Sequence, residues 1–550
     1  MTAVLSERSA AHERLLLAAL LLLTVVFWIE PHGSGLAEPD ETRYAEIPRE
    51  MLAAGDLVVP RLNGVPYFEK PPLLYWANVA AFRVFGLTPW AARLPTRLAG
   101  LGTVLLLVLA VARARGREAG LCAGILYLAS PIGFLASRTN LTDGLLTFFF
   151  TATVLAGRAT ILRRAAGRPW TALAAWTGAA AAGAFLTKGL IGLALPGAIL
   201  LLWAWACGRI AHVLPLVLSP APLVFAALTL PWLLLAESRI PGFLRFFFVH
   251  EHFARFATGA ARRPGPLLYF VPVFLLGFLP GIPFFAAAAA RVRRADPDAV
   301  FFLVWFLTVF VFFSLSKSKL PPYLFPAIPA AAALAASAAS GGSRSRTLWI
   351  VQAVLATAFA AVLLLHPMLR AFVKELRLAA IVAPSLALLV VGSWAAVLFA
   401  DRSSALASMA LGTAWAAFLL GVVVGWPHVP PAQMTADLGG AAKAEAASRG
   451  APVVAYRCYL NGVSWELRSP IPVVDYTGEL EPDFEPWQET REALFWSASR
   501  FFAAWKSGKP LVALIRLRDL VPLMKVEPPA RVVRYSGRYA IVANWYEVSC

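Results

Sequence analysis

The sequence predicts a polytopic α-helical membrane protein followed by a small soluble α/β domain. Three observations carry this reading. Of 550 residues, 59% are hydrophobic and only 15% are charged, whereas a soluble globular chain carries about 25% charged residues. About thirteen apolar runs, many of them uncharged, approach the length of a bilayer span. From about Pro427 onward the composition changes to that of a soluble domain.

The apolar runs cover 15–29, 96–112, 119–136, 141–162, 169–186, 189–207, 213–236, 266–290, 298–316, 322–339, 347–366, 378–400 and 404–425. The first follows Arg8 and Arg14 and resembles a signal peptide, with Gly35-Leu36-Ala37 as a cleavage-like site. It is read as an uncleaved first span, because candidate catalytic residues follow it at once. Alternate loops carry Arg113, Arg115 and Arg117; Arg163, Arg164 and Arg168; Arg209; Arg291, Arg293 and Arg294; Arg344 and Arg346; and Arg402. Together with Arg8 and Arg14 they fall on one side, which the positive-inside rule makes cytoplasmic. An odd number of spans then puts the C-terminus outside. The net charge of +18 is ascribed to loop orientation and lipid phosphates, not to nucleic acid.

Two long outer loops, 30–95 and 237–265, belong to the membrane part, 1–426. Pro72 to Gly86 is apolar but too short to span, so it is expected to lie in the interface as an amphipathic helix, as is Arg245 to Phe256. In the soluble part, 427–550, strands are expected at Pro452–Tyr459, Pro470–Tyr476 and Leu511–Leu517. A hairpin over Arg531–Asn544 turns at Ser536-Gly537. Helices are expected near 434–449 and 488–506. Cys122 and Cys207 fall in spans as packing residues, while Cys458 and Cys550 can pair in an oxidising compartment. No cysteine has zinc-finger spacing.

The chemistry gathers at the outer ends of the spans. Asp40, Glu41, Arg43, Glu69, Lys70, Arg138, Asp143, Lys188, Arg255, Lys317 and Lys319 are all expected on that side. Ionisable groups in or beside a bilayer are costly and usually functional. Carboxylates and cations at one face point to a reaction centre for an anionic substrate. Asp40 leads, within Glu38-Pro39-Asp40-Glu41-Thr42-Arg43-Tyr44; the bland alternative is a helix cap. Asp143 opens the fourth span, where the helix dipole alone would favour it. Lys70 and Lys188 can each be snorkelling lysines. Ser316-Lys317-Ser318-Lys319-Leu320-Pro321-Pro322-Tyr323 makes a phosphate grip. His250 and His252, with Glu69, can bind zinc if the local backbone is extended. A helix would turn the two imidazoles about 200° apart, and interfacial histidines beside headgroups are the alternative.

Asp40-Glu41-Thr42-Arg43-Tyr44, Tyr67-Phe68-Glu69-Lys70-Pro71-Pro72 with Tyr75-Trp76, and Ser316-Lys317-Ser318-Lys319-Leu320-Pro321 resemble the aminoarabinose transferases. These lipid A-modifying enzymes belong to the GT-C membrane glycosyltransferases, which include the protein O-mannosyltransferases. The resemblance implies transfer of 4-amino-4-deoxy-L-arabinose from undecaprenyl phosphate to lipid A phosphates at the periplasmic face of the bacterial inner membrane. Independently, an active site outside the cytoplasm has no nucleotide sugars, so its donor must arrive in the membrane.

The departing lipid phosphate needs cations more than an acid. Lys70, Arg255, Lys317 and Lys319 are the candidates, with Lys188 completing the cluster, and Arg43, Tyr44, Tyr67, Arg138 and Tyr323 complete the expected substrate-binding set. A hydroxyl acceptor would need Asp40 as base; a lipid A phosphate is already anionic, leaving Asp40, Asp143 and Glu69 to orient groups or steady charge on the sugar. No cofactor is required on this reading, and any zinc would be structural or donor-positioning. The rival enzyme is a protein O-mannosyltransferase. A lipid flippase would instead show polar residues through the midplane of several spans.

Overall fold

The computed structural model describes residues 2–31, 33–254, 265–340, 346–365, 379–428, 434–476, 478–480 and 488–545. Two compact units emerge. One joins Met1–Glu30, Thr96–Leu233 and Phe248–Gly425; the other joins Pro31–Pro95, Leu234–Phe247 and Trp426–Cys550.

The first unit is helical. Among the described residues nine helices are long and apolar enough to cross a membrane, or up to 11 counting two bent pairs as one span each. Each of the thirteen predicted runs is helical, but not all are straight spans. The run at 119–136 is Arg117–Ala129 plus Pro131–Arg138, bent by 74°, and that at 266–290 is Leu267–Gly277 plus Leu279–Ala289, bent by 81°. Proline explains the first break. Pro131 has no N–H to continue the helix and sits at the start of the next one, whose N-cap Ser130 accepts from the Gly133 N–H at 3.1 Å. The run at 189–207 yields only the 16-residue helix Ile191–Ala206.

Small residues let these helices close on each other. Ile328–Ala339 is alanine-rich and almost wholly buried, packed against Arg117–Ala129, Pro297–Leu315 and Ile282–Ala289. Thr2–Trp28 packs on Ser404–Gly425 and Arg117–Ala129. At Gly144 an added Cβ would lie 2.1 Å from the Ala136 carbonyl oxygen, so only glycine permits this approach of Thr142–Ala165 to Pro131–Arg138.

The second unit is mixed. Helix Asp40–Ala54 ends at Gly55, whose φ of 65° supplies the left-handed cap. Strands β1 (Arg61–Leu62) and β2 (Val65–Pro66) form a hairpin about Asn63 and Gly64, both at positive φ. Leu73–Phe85 is the helix expected at 72–86. The C-terminal segment carries a six-stranded sheet of β3 (Val453–Tyr456), β4 (Val473–Val474), β5 (Phe495–Trp496), β6 (Val512–Arg516), β7 (Arg531–Ser536) and β8 (Tyr539–Ala543), in the order β5-β4-β3-β6-β8-β7. The first four strands are parallel, and β8 and β7 close the other edge as an antiparallel hairpin. β6 and β8 are buried without a break, from Val512 to Ile515 and from Ala540 to Ala543, as strands covered on both faces are. The helix expected at 488–506 is interrupted: Gln488–Leu494 and Ala498–Lys506 flank β5, because Ser497 caps a new start by accepting from the Arg500 N–H.

Candidate functional site

The second unit holds the Asp40 group. Helix Asp40–Ala54 begins with Pro39 at the N-cap and no side-chain cap bond, so the cap role proposed for Asp40 is not the one it plays. Its carboxylate instead accepts from Arg43 Nη2 at 2.9 Å, one turn along, and its side chain keeps 42% exposure. Arg43 is buried and serves three partners. Beyond Asp40 it donates to the Tyr67 hydroxyl at 3.3 Å and faces Glu479 Oε2 at 3.2 Å. Glu479 accepts from Asn461 Nδ2 at 2.9 Å. Burial pushes the Tyr67 hydroxyl well above its usual range, so it remains a protonated donor. Tyr44 packs near Tyr75, with ring centroids 6.3 Å apart. Glu69 and Lys70 form a half-buried ion pair at 3.7 Å, and Lys70 Nζ donates to the Glu69 carbonyl at 2.8 Å.

The same helix carries further buried charge: Glu41, named above, and Glu46, Arg49 and Glu50, which the sequence reading did not single out. Glu41 receives a two-pronged grip from Arg93, at 2.9 and 2.7 Å. Arg49 grips Glu46 at 2.7 and 2.6 Å and donates to the Arg468 carbonyl at 2.9 Å. Glu50 accepts the backbone N–H groups of Asn63 and Gly64 at 2.7 and 2.8 Å, and Asn63 bonds Ile471 through both ends of its amide. Glu46 and Glu50 share one guanidinium, and burial with the neighbouring carboxylate pushes Glu50 up to about 8. Glu38, half-buried and accepting from the Gly462 N–H at 2.5 Å, is pushed by desolvation to about 7. The signal was present: five acidic residues between Glu38 and Glu50 are too many for a merely lipid-facing turn. Asn63-Gly64 was likewise a hairpin signal.

The first unit holds the Asp143 group. Asp143 lies in the first turn of Thr142–Ala165 and is ion-paired with Lys188, at the end of Thr171–Lys188. Lys188 Nζ also sits 4.8 Å from the Tyr323 ring centroid. Two other predicted cations act on backbone. Lys319 Nζ donates to the carbonyls of Phe313, Ser314 and Ser316 at 3.3, 2.7 and 2.6 Å, closing the C-terminus of helix Pro297–Leu315. Arg138 donates to the carbonyls of Phe27 and Ile29 at 2.6 and 2.7 Å, at the C-terminal end of Thr2–Trp28. Both satisfy orphan carbonyls and favour the negative end of a helix dipole. Lys317, by contrast, is exposed.

Arg255 and the side chain of His252 lie outside the described residues, as does any Cys458–Cys550 bridge. The extended backbone that would align His250 with His252 is not found: Phe246–Ala254 is a π-helix, which turns neighbours two apart to different sides. Among the described residues no three His, Cys, Asp or Glu side chains gather as a metal-binding group; the Glu69, His250 and His252 set includes a side chain outside them.

Two family models match the chain, dolichyl-phosphate-mannose-protein mannosyltransferase over residues 14–247 and the aminoarabinose transferase C-terminal domain over 441–544. The chain is 34% identical over 342 residues to the undecaprenyl phosphate-alpha-4-amino-4-deoxy-L-arabinose arabinosyl transferase 2 of Proteus mirabilis, covering 60% of each chain. It is 35% identical over 324 residues to the corresponding transferase of Yersinia enterocolitica, covering 58% of each. The crystal structure of ArnT from Cupriavidus metallidurans bound to undecaprenyl phosphate is similar over 98% of both chains, with a TM-score of 0.82 at 28% identity. Over these segments the chain is similar to the aminoarabinose transferases. Its matched segments span about three fifths of the length of those curated relatives. The membrane helices therefore share the GT-C architecture expected from Asp40-Glu41-Thr42-Arg43-Tyr44, and the C-terminal sheet corresponds to the aminoarabinose transferase C-terminal domain.

Proposed function

We propose that this protein transfers 4-amino-4-deoxy-L-arabinose from undecaprenyl phosphate to lipid A phosphates, at the periplasmic face of the inner membrane. One observation carries the reading: the likeness to a solved ArnT bound to undecaprenyl phosphate runs over 98% of both chains, beyond the membrane helices alone. The membrane-borne donor also fits the arginine-rich alternate loops, which turn the candidate residues away from the cytoplasm.

The leaving group is a lipid phosphate, and Lys70, Arg255 and Lys317 supply the charge that receives it. Asp40 is held by a guanidinium that is itself held by Tyr67 and Glu479. A carboxylate so fixed is a better orienting group than a mobile base. The anionic acceptor needs no base, so Asp40 and Asp143 steady the sugar's ammonium group and the positive charge that develops at its anomeric carbon. Single displacement inverts that carbon. The reaction as written needs no metal.

The mannosyltransferase model matched over 14–247 supports a second reading, with a protein hydroxyl as acceptor and Asp40 as a true base. Mass spectrometry of lipid A decides between them. The gene is expressed in a strain lacking its own aminoarabinose transferase. A phosphate-linked aminopentose establishes the proposal; unmodified lipid A with newly mannosylated protein establishes the alternative.

A further inference from the structure

In the C-terminal sheet the chain runs from β3 outward to β4 and β5, then returns to the other side of β3 as β6. The strand order therefore reverses between β3 and β6, both parallel to each other. In open sheets of this kind ligands bind outside the carboxyl ends of the strands at the reversal.

The residues at those ends are not ordinary loop residues. Arg457 follows β3 directly and Asp475 follows β4, with φ of 54° and 45°. Neither is glycine, and a left-handed conformation strains such residues, a strain that clusters at ligand sites. Arg457 faces Asp475 at 3.9 Å and Asp519, beyond β6, at 3.8 Å. Those separations exceed hydrogen-bond length, so the half-exposed guanidinium is balanced between two carboxylates and bonded to neither. Asp519 Oδ2 is buried without a hydrogen bond, 3.6 Å from Arg518 Nε. Arg516, which ends β6, and Glu479 both act electrostatically on Tyr476, next to Asp475. Glu479 in turn holds Arg43, which holds Asp40. A half-exposed ion pair at these distances contributes little and does not offset two strained residues.

We propose that the carboxyl ends of β3, β4 and β6 bind a sugar phosphate. Arg457, with Arg516 and Arg518, holds the phosphate, and Asp475 and Asp519 accept from the sugar hydroxyls. Resting on the transferase reading above, this is the docking site of the phosphorylated headgroup of the acceptor, on the side of the sheet that reaches Asp40 through Glu479 and Arg43.

The test uses the full-length protein in detergent, titrated calorimetrically with glucose 1-phosphate, inorganic phosphate and glucose. Glucose 1-phosphate should bind at least about tenfold tighter than either fragment, as expected when charge-assisted and hydroxyl contacts combine. Arg457→Ala and Asp519→Asn should each weaken it about tenfold or more, with unchanged melting temperature, and Arg457→Ala should raise the acceptor KM without moving the donor KM. Where Arg457→Ala does not fold, Arg516→Ala carries the same expectation. Wild-type binding in folded variants, or no preference over inorganic phosphate, overturns the site. Binding that persists in a protein without transferase activity overturns the transferase reading and leaves the site standing.

Discussion

At Asp40 the decisive feature is its partner. Arg43 offers five donors in a fixed fork, and three acceptors share them: Asp40 one turn away, and Tyr67 and Glu479 from elsewhere in the chain. Asp40 is thereby aimed without being buried. Asp40→Asn keeps the shape and removes the charge, so transfer should fall at least about a hundredfold, a magnitude typical of a group acting on the reacting atoms. Purified variant assayed at saturating donor, with melting temperature unchanged, checks this; near-normal turnover would return Asp40 to a structural role. Lys319 belongs to the opposite class. Its ammonium is directed at three carbonyls, so Lys319→Met should destabilise by about 1 kcal/mol, the usual scale of a charge at a helix end. Donor KM should change less than about twofold. A large rise in donor KM with unchanged melting would show that Lys319 meets the donor phosphate.

At the scale of elements, helix placement decides where charge arrives. Gly144 follows Asp143 and touches the Ala136 carbonyl. Gly144→Ala must push Thr142–Ala165 away from Pro131–Arg138 and carry Asp143 from Lys188. Transfer should fall at least about tenfold, because misplacement by an ångström is costly, although no polar group has been altered. Activity equal to wild type would mean that the helix pair can slide apart freely. The Asn63 hairpin works similarly. It is fastened by Glu50 on one side and Ile471 on the other, so helix Asp40–Ala54 and the C-terminal segment share one anchor. The hairpin was legible as Asn63-Gly64, but its partner Ile471 lies 408 residues away, where no local pattern points.

For the molecule as a whole, the acidic residues of helix Asp40–Ala54 set a pH response. Glu50 is pushed up to about 8 from an ordinary 4.5. Between those values the folded protein binds a proton that the unfolded chain has released. Stability is therefore fully present below about pH 4.5 and declines as pH rises through 8. Glu50→Gln should flatten the slope of melting temperature across this window, measured in detergent by thermal shift. An unchanged slope would assign the response to other groups, Glu38 first among them. Topology is the other molecular property. A reporter fused after the C-terminal domain should be active only when it works in the periplasm, and activity confined to a cytoplasmic reporter would sink the proposed orientation.

The sequence by itself determined the membrane class, the approximate span positions, the α/β character of the tail and the resemblance that names the chemistry. These properties are local: apolar runs, proline and glycine breaks, short strand-forming stretches and short motifs are all written within a few turns of chain. It also marked Asp40, Arg43, Asp143 and Lys188 as residues to watch, because charge beside a bilayer is costly. Only the tertiary structure decided what each charge does. Lys188 pairs with Asp143, whereas Lys319 and Arg138, equally conspicuous in sequence, close helix ends. Glu479, Arg93 and Arg468 gave no local sign of meeting the helix that carries Asp40. A buried charge takes whichever partner packing brings within about 3 Å, and packing joins residues hundreds of positions apart.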